Sequence, residues 1–329
     1  QIICIIKFHS FFIYILLLIL DNLTQWVFFR KHYKKKYSYI IKTKEKYEEI
    51  KNDIKNLFWH KIGSLVVFNT DLILISKFID LKTVGIYASY QMITQVLSTI
   101  VSILSSLFSP KIGKYIAEHT KQENYICFKK YNILYCFISL ILAYCTFILM
   151  NSFVALWLGN NFILSKFTLR LICFNLWVVL FRGNLEIFKL GTGFFDDVKS
   201  PILESIINLV ISIVLGLKLG LDGVIIGTIA SNVIIILIYK PILTFERCFE
   251  KNIKDYIKTY GNYLLLIIFS LVLSKLLLNY IPIIEIYTWV DWLKKAVLIS
   301  SIVSTITLVI FIFDKDFREG IFIAIKKNK

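Results

Sequence analysis

Long apolar runs recur along almost the whole chain, and short polar or basic connections separate them. Each run is about 20 residues long, which matches the ~30 Å hydrocarbon core of a bilayer at about 1.5 Å rise per residue. Because only a helix satisfies its own backbone hydrogen bonds within lipid, the runs are predicted to be transmembrane helices. The pattern predicts nine spans, at residues 8–29, 58–79, 87–109, 132–155, 164–188, 200–219, 222–245, 259–281 and 292–313. The expected fold is an all-α, polytopic helical bundle in a membrane.

Lys and Arg are concentrated in alternate connections between these runs. Ten of them lie in segment 30–57, and five lie in each of three others, 110–131, 240–258 and 314–329. The connections on the opposite side contain one, Lys82. Because positive loops stay on the cytoplasmic side, the N-terminus is predicted outside and the C-terminus in the cytoplasm. Nine spans also require the two ends to lie on opposite sides.

Two basic connections contain apolar residues at helical spacing. Segments 44–57 and 246–260 are either amphipathic helices on the inner headgroup surface or helical extensions of the neighbouring spans. The chain begins with Gln1 and enters an apolar run at once, without a signal peptide for an external N-terminus. We therefore expect an N-terminal portion to be missing.

Composition and charge narrow the possible functions. The chain is 57% hydrophobic and 18% charged, and its formal charge of +16 fits positive cytoplasmic loops. No folded recognition motif accompanies the basic segments, so nucleic acid is not an expected partner. Six scattered cysteines without a CxxC pair indicate neither a zinc site nor a disulfide framework, and no cofactor is expected.

Motifs of catalysis are missing from the sequence. There is no Walker A loop, no GxSxG, no HExxH and no pair of carboxylates in an external loop. The predicted external loops are too short to build an active site. An enzyme is therefore the less favoured class.

Charged residues inside the predicted spans are the candidate functional residues, because such charges are costly in lipid. Asp71 lies about 18 Å into span 58–79, near mid-membrane, and follows the polar Asn69 and Thr70. It is either a proton, cation or substrate contact, or a carboxylate buried and paired against another helix.

Three further charges lie toward the cytoplasmic ends of spans. Arg182 and Glu186 are four residues apart, so they share a helix face and are able to pair. Glu204 lies just inside span 200–219, where it could meet Arg182 or face water.

Gly223 and Gly227 have the small-xxx-small spacing of a close helix–helix contact.

Two stretches resemble the polysaccharide repeat-unit flippases of the MOP exporter superfamily, which also contains the lipid II flippases and the multidrug MATE transporters. The first, residues 64–93, carries Thr70-Asp71, Ile75-Ser76-Lys77-Phe78 and Val84-Gly85-Ile86-Tyr87. The second, residues 191–234, carries Asn208, Ser212, Gly220, Gly223, Val224, Gly227 and Thr228. The short outer turn Trp157-Leu158-Gly159 is also similar.

The resemblance implies two helical bundles around a central cavity that opens alternately to each side of a bacterial plasma (inner) membrane. Its implied cargo is a lipid-linked oligosaccharide of the undecaprenyl pyrophosphate type, and other polysaccharide assembly proteins would be partners. This chain departs from the family in having nine predicted spans rather than twelve to fourteen. Four regions are therefore expected: the last helix of a mostly missing N-terminal bundle at 1–29, a basic linker at 30–57, a six-helix bundle at 58–245, and two added helices with a basic cytoplasmic tail at 246–329.

Asn69, Asp71, Arg182, Glu186 and Glu204 are thus the candidate contacts for substrate or coupling ion. Arg182 is a candidate phosphate partner, whereas Asp71 is a candidate coupling site. A multidrug exporter of the same fold is the first alternative, since its cargo would favour carboxylates and aromatic side chains. A membrane-embedded polysaccharide polymerase or glycosyltransferase is the second.

Overall fold

The fold is entirely helical in the residues that the computed structural model describes, namely 11–39, 51, 54–55, 58, 70–194, 199–280 and 286–325. Eight helices in this part of the chain are long and apolar enough to cross a membrane. The prediction of an all-α, multi-span bundle is confirmed. The predicted span 58–79 is described only from residue 70 onward, apart from residue 58.

The chain divides into two units, 1–51 and 52–329. Helix α1, Phe11–Lys36, belongs to the first unit and ends in Lys34, Lys35 and Lys36. None of its described side chains is buried within the unit.

The second unit contains the other helices. They are α2 (70–78), α3 (Leu81–Glu118), α4 (Lys121–Leu158), α5 (Lys166–Phe181), α6 (Gly183–Gly191), α7 (Lys199–Leu219), α8 (Leu221–Asn232), α9 (Lys240–Phe249), α10 (Ile253–Leu278), α11 (Trp289–Phe311) and α12 (Lys315–Ile325). A 3₁₀ turn, Asn160–Phe162, follows α4, and a π-helical segment, Val233–Tyr239, joins α8 to α9.

Helices α3 and α4 extend well beyond the predicted spans 87–109 and 132–155. Each has 38 residues, and only His119 and Thr120 separate them. Thr120 caps the start of α4 in a capping box with Glu123, which satisfies backbone N–H groups at the helix end. The basic connection 110–131 is therefore mostly helix, because the polar ends of both helices continue past their apolar parts.

The second amphipathic segment proves to be helical extension of two spans. Helix α9 ends at Phe249, where Glu250 takes a left-handed conformation with φ 54°, and α10 begins at Ile253 after the Asn252 cap. Segment 44–57 lies almost wholly outside the described residues.

Close packing joins α7 to α8 as an antiparallel hairpin around Gly220. A Cβ atom added at Gly223 would lie 2.0 Å from the Leu215 carbonyl oxygen, and one at Gly227 would lie 2.1 Å from Ser212 Oγ. The predicted small-xxx-small contact is thus present, and its partner is the preceding helix. Only glycine allows the two backbones to approach so closely.

An aromatic cluster fills the part of the core where α4, α6 and α9 meet. Phe128, Phe188, Phe245 and Phe249 are fully or almost fully buried, and their ring centroids lie 5.0–6.1 Å apart. Such edge-to-face pairs add stability beyond burial alone. The cluster anchors α9 against the bundle.

The last described helix, α12, packs on the start of α4. Phe317 is fully buried, and Lys129 and Lys130 pair with Asp316 at 3.0 Å and with Glu319 at 2.8 Å. The hydrogen bond and charge of Lys130 lower the pKa of the Glu319 carboxyl. These contacts tie the chain's basic end to the bundle.

Candidate functional site

The buried polar cluster around Asp71 is the principal candidate site. Asp71 lies on α2 and is 3% exposed. The hydroxyl of Thr228 on α8 lies 2.9 Å from Asp71 Oδ1 and 2.8 Å from Oδ2, and it donates to this carboxylate. Tyr87 on α3 donates a longer bond of 3.4 Å to Oδ2. Three helices therefore meet at a single carboxylate.

A fourth helix, α7, enters the cluster through Asn208. The amide nitrogen of Asn208 donates to Thr228 Oγ1 at 2.9 Å, and Ser212, one turn further along α7, donates to the Val224 carbonyl at 3.1 Å. Asn208 and Ser212 are four residues apart on α7, so they lie on one face of that helix. Val224 and Thr228 have the same spacing on α8. The two faces meet in the hairpin, where the side chains on α7 contact the Thr228 hydroxyl and the Val224 carbonyl.

One atom of the cluster lacks a partner. Asn208 Oδ1 is buried and has no hydrogen bond within the described part of the chain. A buried unpaired carbonyl is costly, and native proteins usually satisfy it with water or an ion. A 180° rotation of this amide would turn Oδ1 toward Thr228 and the carboxylate.

The cluster has the donor set of a hard cation or of a proton. It offers carboxylate, hydroxyl, amide and backbone carbonyl oxygens, which hard cations prefer over nitrogen or sulfur. The described residues contain no group of three or more His, Cys, Asp and Glu that could hold a metal ion. Among the described residues of the cluster, the Asp71 carboxylate supplies the only formal charge, which matches one proton or one monovalent cation.

Glu186 is the centre of a second polar group, in which the carboxylate is partly exposed and its two lysine partners are buried. Its carboxylate lies 2.9 Å from Lys240 Nζ and 3.5 Å from Lys189 Nζ. Arg182 forms the junction between α5 and α6, and its charge also acts on the Glu186 carboxylate, although no described ion pair within 4.0 Å joins the two. Both lysines lie near the ends of predicted spans in the sequence. Lys189 is three residues after Glu186, and Lys240 follows an apolar run and precedes Pro241. Either lysine could therefore have been considered as a partner of Glu186.

The remaining predicted site residues are not brought to the Asp71 cluster by described contacts. Glu204 is 9% exposed on α7, one turn before Asn208, and forms no described ion pair with Arg182. Asn69 lies outside the described residues. Sequence reasoning missed Thr228 and Asn208 as partners of Asp71, because their positions more than 130 residues away carry no local signal.

The exposed faces of two helices differ in polarity. On α3 the exposed side chains include a stripe of Gln95, Thr99, Ser102 and Ser106 at spacings of four, three and four residues. On α7 the exposed face is aliphatic, with Ile206, Leu209, Val210, Val214 and Leu217. The hydroxyls of Thr99 and Ser106 donate to backbone carbonyls of α3 itself, and aliphatic side chains, among them Val96, Ile103 and Leu107, are exposed beside the stripe.

The whole arrangement is a multi-span apolar helical bundle with a polar cluster inside it, of a form compatible with a membrane transporter. In comparisons with protein-family models, with curated proteins and with solved structures, this chain gave no match.

Proposed function

We propose that this chain is part of a cation-coupled flippase that moves lipid-linked oligosaccharide units across a bacterial plasma membrane. The observation that carries the proposal is the buried oxygen cluster formed by Asp71, Thr228 and Asn208. A charge at this depth in the membrane costs free energy, so a carboxylate there is expected to contribute to transport or to be permanently paired. No Lys or Arg pairs with Asp71 in the described structure, so a mobile proton or cation is its natural counter-charge.

The cluster also provides a physical route for coupling. Its members come from α2, α3, α7 and α8, so the occupancy of a single site changes the contacts between four helices. When the cation is bound, the lone pairs of Thr228 and Asn208 turn toward it. When it leaves, the Thr228 hydroxyl donates to the carboxylate again and the Asn208 amide donates to Thr228 Oγ1. A ligand that binds one arrangement better shifts the population toward it.

The proposed cargo follows from the resemblance and from the α3 stripe. A sugar headgroup needs hydrogen-bonding side chains along its path, and Gln95, Thr99, Ser102 and Ser106 supply them on an exposed face. The aliphatic face of α7 is suited to lipid contact instead. A drug-sized organic cation would gain less from a stripe of neutral hydroxyl and amide groups.

Replacement of Asp71 by Asn in the full-length protein tests the coupling. The D71N variant keeps the size and hydrogen-bonding shape but not the charge, so we expect transport to lose its dependence on Na⁺ and pH together with most of its rate. The measurement is restoration of surface polysaccharide in a bacterium that lacks its own repeat-unit flippase, across pH and Na⁺ concentration. The D222N variant is the matched control, because Asp222 accepts a 2.6 Å bond from Thr168 that an Asn oxygen can keep.

Unchanged transport by D71N over the whole range would exclude the coupling role. If the wild-type protein reaches the membrane and surface polysaccharide does not return, the flippase assignment loses its support. Drug-resistance assays in the same strain would then test the multidrug exporter.

A further inference from the structure

We infer that the π-helical segment Val233–Tyr239 is a hinge within one membrane span, and that Tyr256 is the positioning residue that holds it. The inference rests on the proposed function, because it describes how a change at the Asp71 cluster reaches the other end of that span. The same span carries Thr228 before the segment and Lys240 after it.

Both sides of the π-helical segment are fixed to other helices. Before it, Asn232 donates a 2.7 Å bond to Asn175 on α5. After it, Lys240 donates a 2.9 Å bond to Glu186 on α6, and Phe245 and Phe249 are buried in the aromatic cluster. Any movement of α8 relative to α9 must therefore be absorbed by residues 233–239.

The backbone of the segment differs from that of an ordinary helix in two ways. Its hydrogen bonds span five residues, as in the bond from the Lys240 N–H to the Ile235 carbonyl. In addition, Pro241 has no N–H, so the Leu237 carbonyl four residues earlier has no α-helical donor. Kinks and local rearrangements in helices occur at such sites.

Tyr256 supplies the missing donor from a different helix. It lies in the first turn of α10, and its hydroxyl donates to the Leu237 carbonyl. Its ring also packs against Phe245 and Tyr260, at centroid distances of 5.5 and 4.5 Å. A side-chain donor can be released and regained while the backbone changes shape, which an N–H within the same helix cannot do as freely. Tyr256 thus stabilises one arrangement of the hinge without locking it.

A double-mutant cycle between Tyr256 and Pro241 tests this role in the full-length protein. Tyr256→Phe removes only the hydroxyl, and we expect hydrogen exchange of the amides in 233–240 to rise about fivefold, the equivalent of one lost hydrogen bond. Pro241→Ala returns an N–H to the helix, so we expect exchange there to fall and most transport to be lost. The N–H that Pro241→Ala restores can close an α-helical bond to the Leu237 carbonyl in place of the π-helical register. In the P241A background, Tyr256→Phe should therefore change exchange little.

The control is Tyr131→Phe, since Tyr131 is half-buried against Phe108 and Phe188 and its hydroxyl has no hydrogen bond in the described structure. Equal effects of Tyr256→Phe in both backgrounds would overturn the inference. Wild-type exchange and transport in P241A would do the same. If P241A fails to reach the membrane, the test is the hydrogen exchange of the Y256F variant alone. An exchange rate in residues 233–240 equal to that of the wild-type protein would then contradict the hinge.

This test separates the hinge from the coupling site. The exchange cycle is run without Na⁺ and at a single pH, so its outcome does not depend on a change in the cation bound at Asp71. Thermal stabilisation of the wild-type protein by Na⁺ or by a lower pH is measured separately. A protein that shows the cycle but no such stabilisation would keep the hinge and lose the cation proposal.

Discussion

At the residue scale, the buried partners of Asp71 determine what this carboxylate can do. Glu186 and Asp71 are both acidic residues inside predicted spans, but Glu186 has two lysines within 3.5 Å whereas Asp71 has only neutral hydrogen-bond donors. A paired carboxylate such as Glu186 keeps a fixed charge. An unpaired one can exchange its counter-charge, which makes Asp71 the candidate for coupling and Glu186 a structural anchor.

Thr228 is the residue whose loss should affect the Asp71 cluster most directly. Thr228→Val removes the hydroxyl that donates to Asp71 and accepts from Asn208, so both partners lose a bond. We expect a loss of about 1–2 kcal/mol in the free energy of unfolding and the loss of any stabilisation by the coupling cation. Thermal unfolding in detergent with and without Na⁺ measures both effects.

Two variants make this prediction specific. Thr228→Ser keeps the hydroxyl and should retain the cation effect. Thr307→Val removes a buried hydroxyl whose one described bond is to its own helix at Val303, and it should leave the cation effect intact. A full cation response in T228V would contradict the assignment of Thr228 as a ligand.

At the element scale, the hairpin of α7 and α8 is the most tightly constrained part of the bundle. Gly227 faces Ser212, whose backbone nitrogen would lie 2.5 Å from an added Cβ. This contact sets the distance between Asn208 on one helix and Thr228 on the other. The spacing of the hairpin therefore controls the geometry of the cluster, although Gly227 itself touches none of the proposed ligand oxygens.

Gly227→Ala should separate the two helices. The added methyl group cannot fit against a backbone without movement, so we expect destabilisation of about 3 kcal/mol and a weaker response to the coupling cation. Gly261→Ala on α10 is the control, because nothing lies within 4 Å of its added Cβ. There we expect a stabilisation of up to about 1 kcal/mol from the better helix former. Similar melting temperatures for the two variants would show that the hairpin contact has been misjudged.

The sequence predicts elements better than it predicts contacts between them. The length of the apolar runs identified the spans, because a helix needs about 20 residues to cross the hydrocarbon core, whichever helices pack against it. It misplaced the ends of α3 and α4, since Thr120 caps a helix that begins before the apolar part. Asp71 was identifiable as a charge in an apolar run, but its partners Thr228 and Asn208 depend on how α7 and α8 pack, which hydropathy does not encode.

At the scale of the whole molecule, the exposed surfaces of α3 and α7 differ. The exposed face of α7 is aliphatic, whereas on α3 the stripe of Gln95, Thr99, Ser102 and Ser106 lies beside exposed aliphatic side chains. Helices α3 and α7 both contribute to the Asp71 cluster, through Tyr87 and Asn208. The cluster therefore joins a helix with a mixed exposed surface to one whose exposed surface is aliphatic.

The orientation of the bundle is the last prediction, and it follows from the distribution of positive charge. Lys82 lies in the first turn of α3 and Lys315 begins α12. Seven helical crossings lie between them, so they should be on opposite sides of the membrane. The basic segments 110–131, 240–258 and 314–329 predict that Lys315 lies in the cytoplasm. In a background whose six native cysteines are replaced by serine or alanine, a membrane-impermeant maleimide added to intact cells should label Lys82→Cys and spare Lys315→Cys. Permeabilised cells should label both, since Lys82 is exposed and the Lys315 side chain is 80% exposed. Labelling of Lys315→Cys alone in intact cells would invert the orientation, and labelling of both or neither would contradict the number of crossings between them.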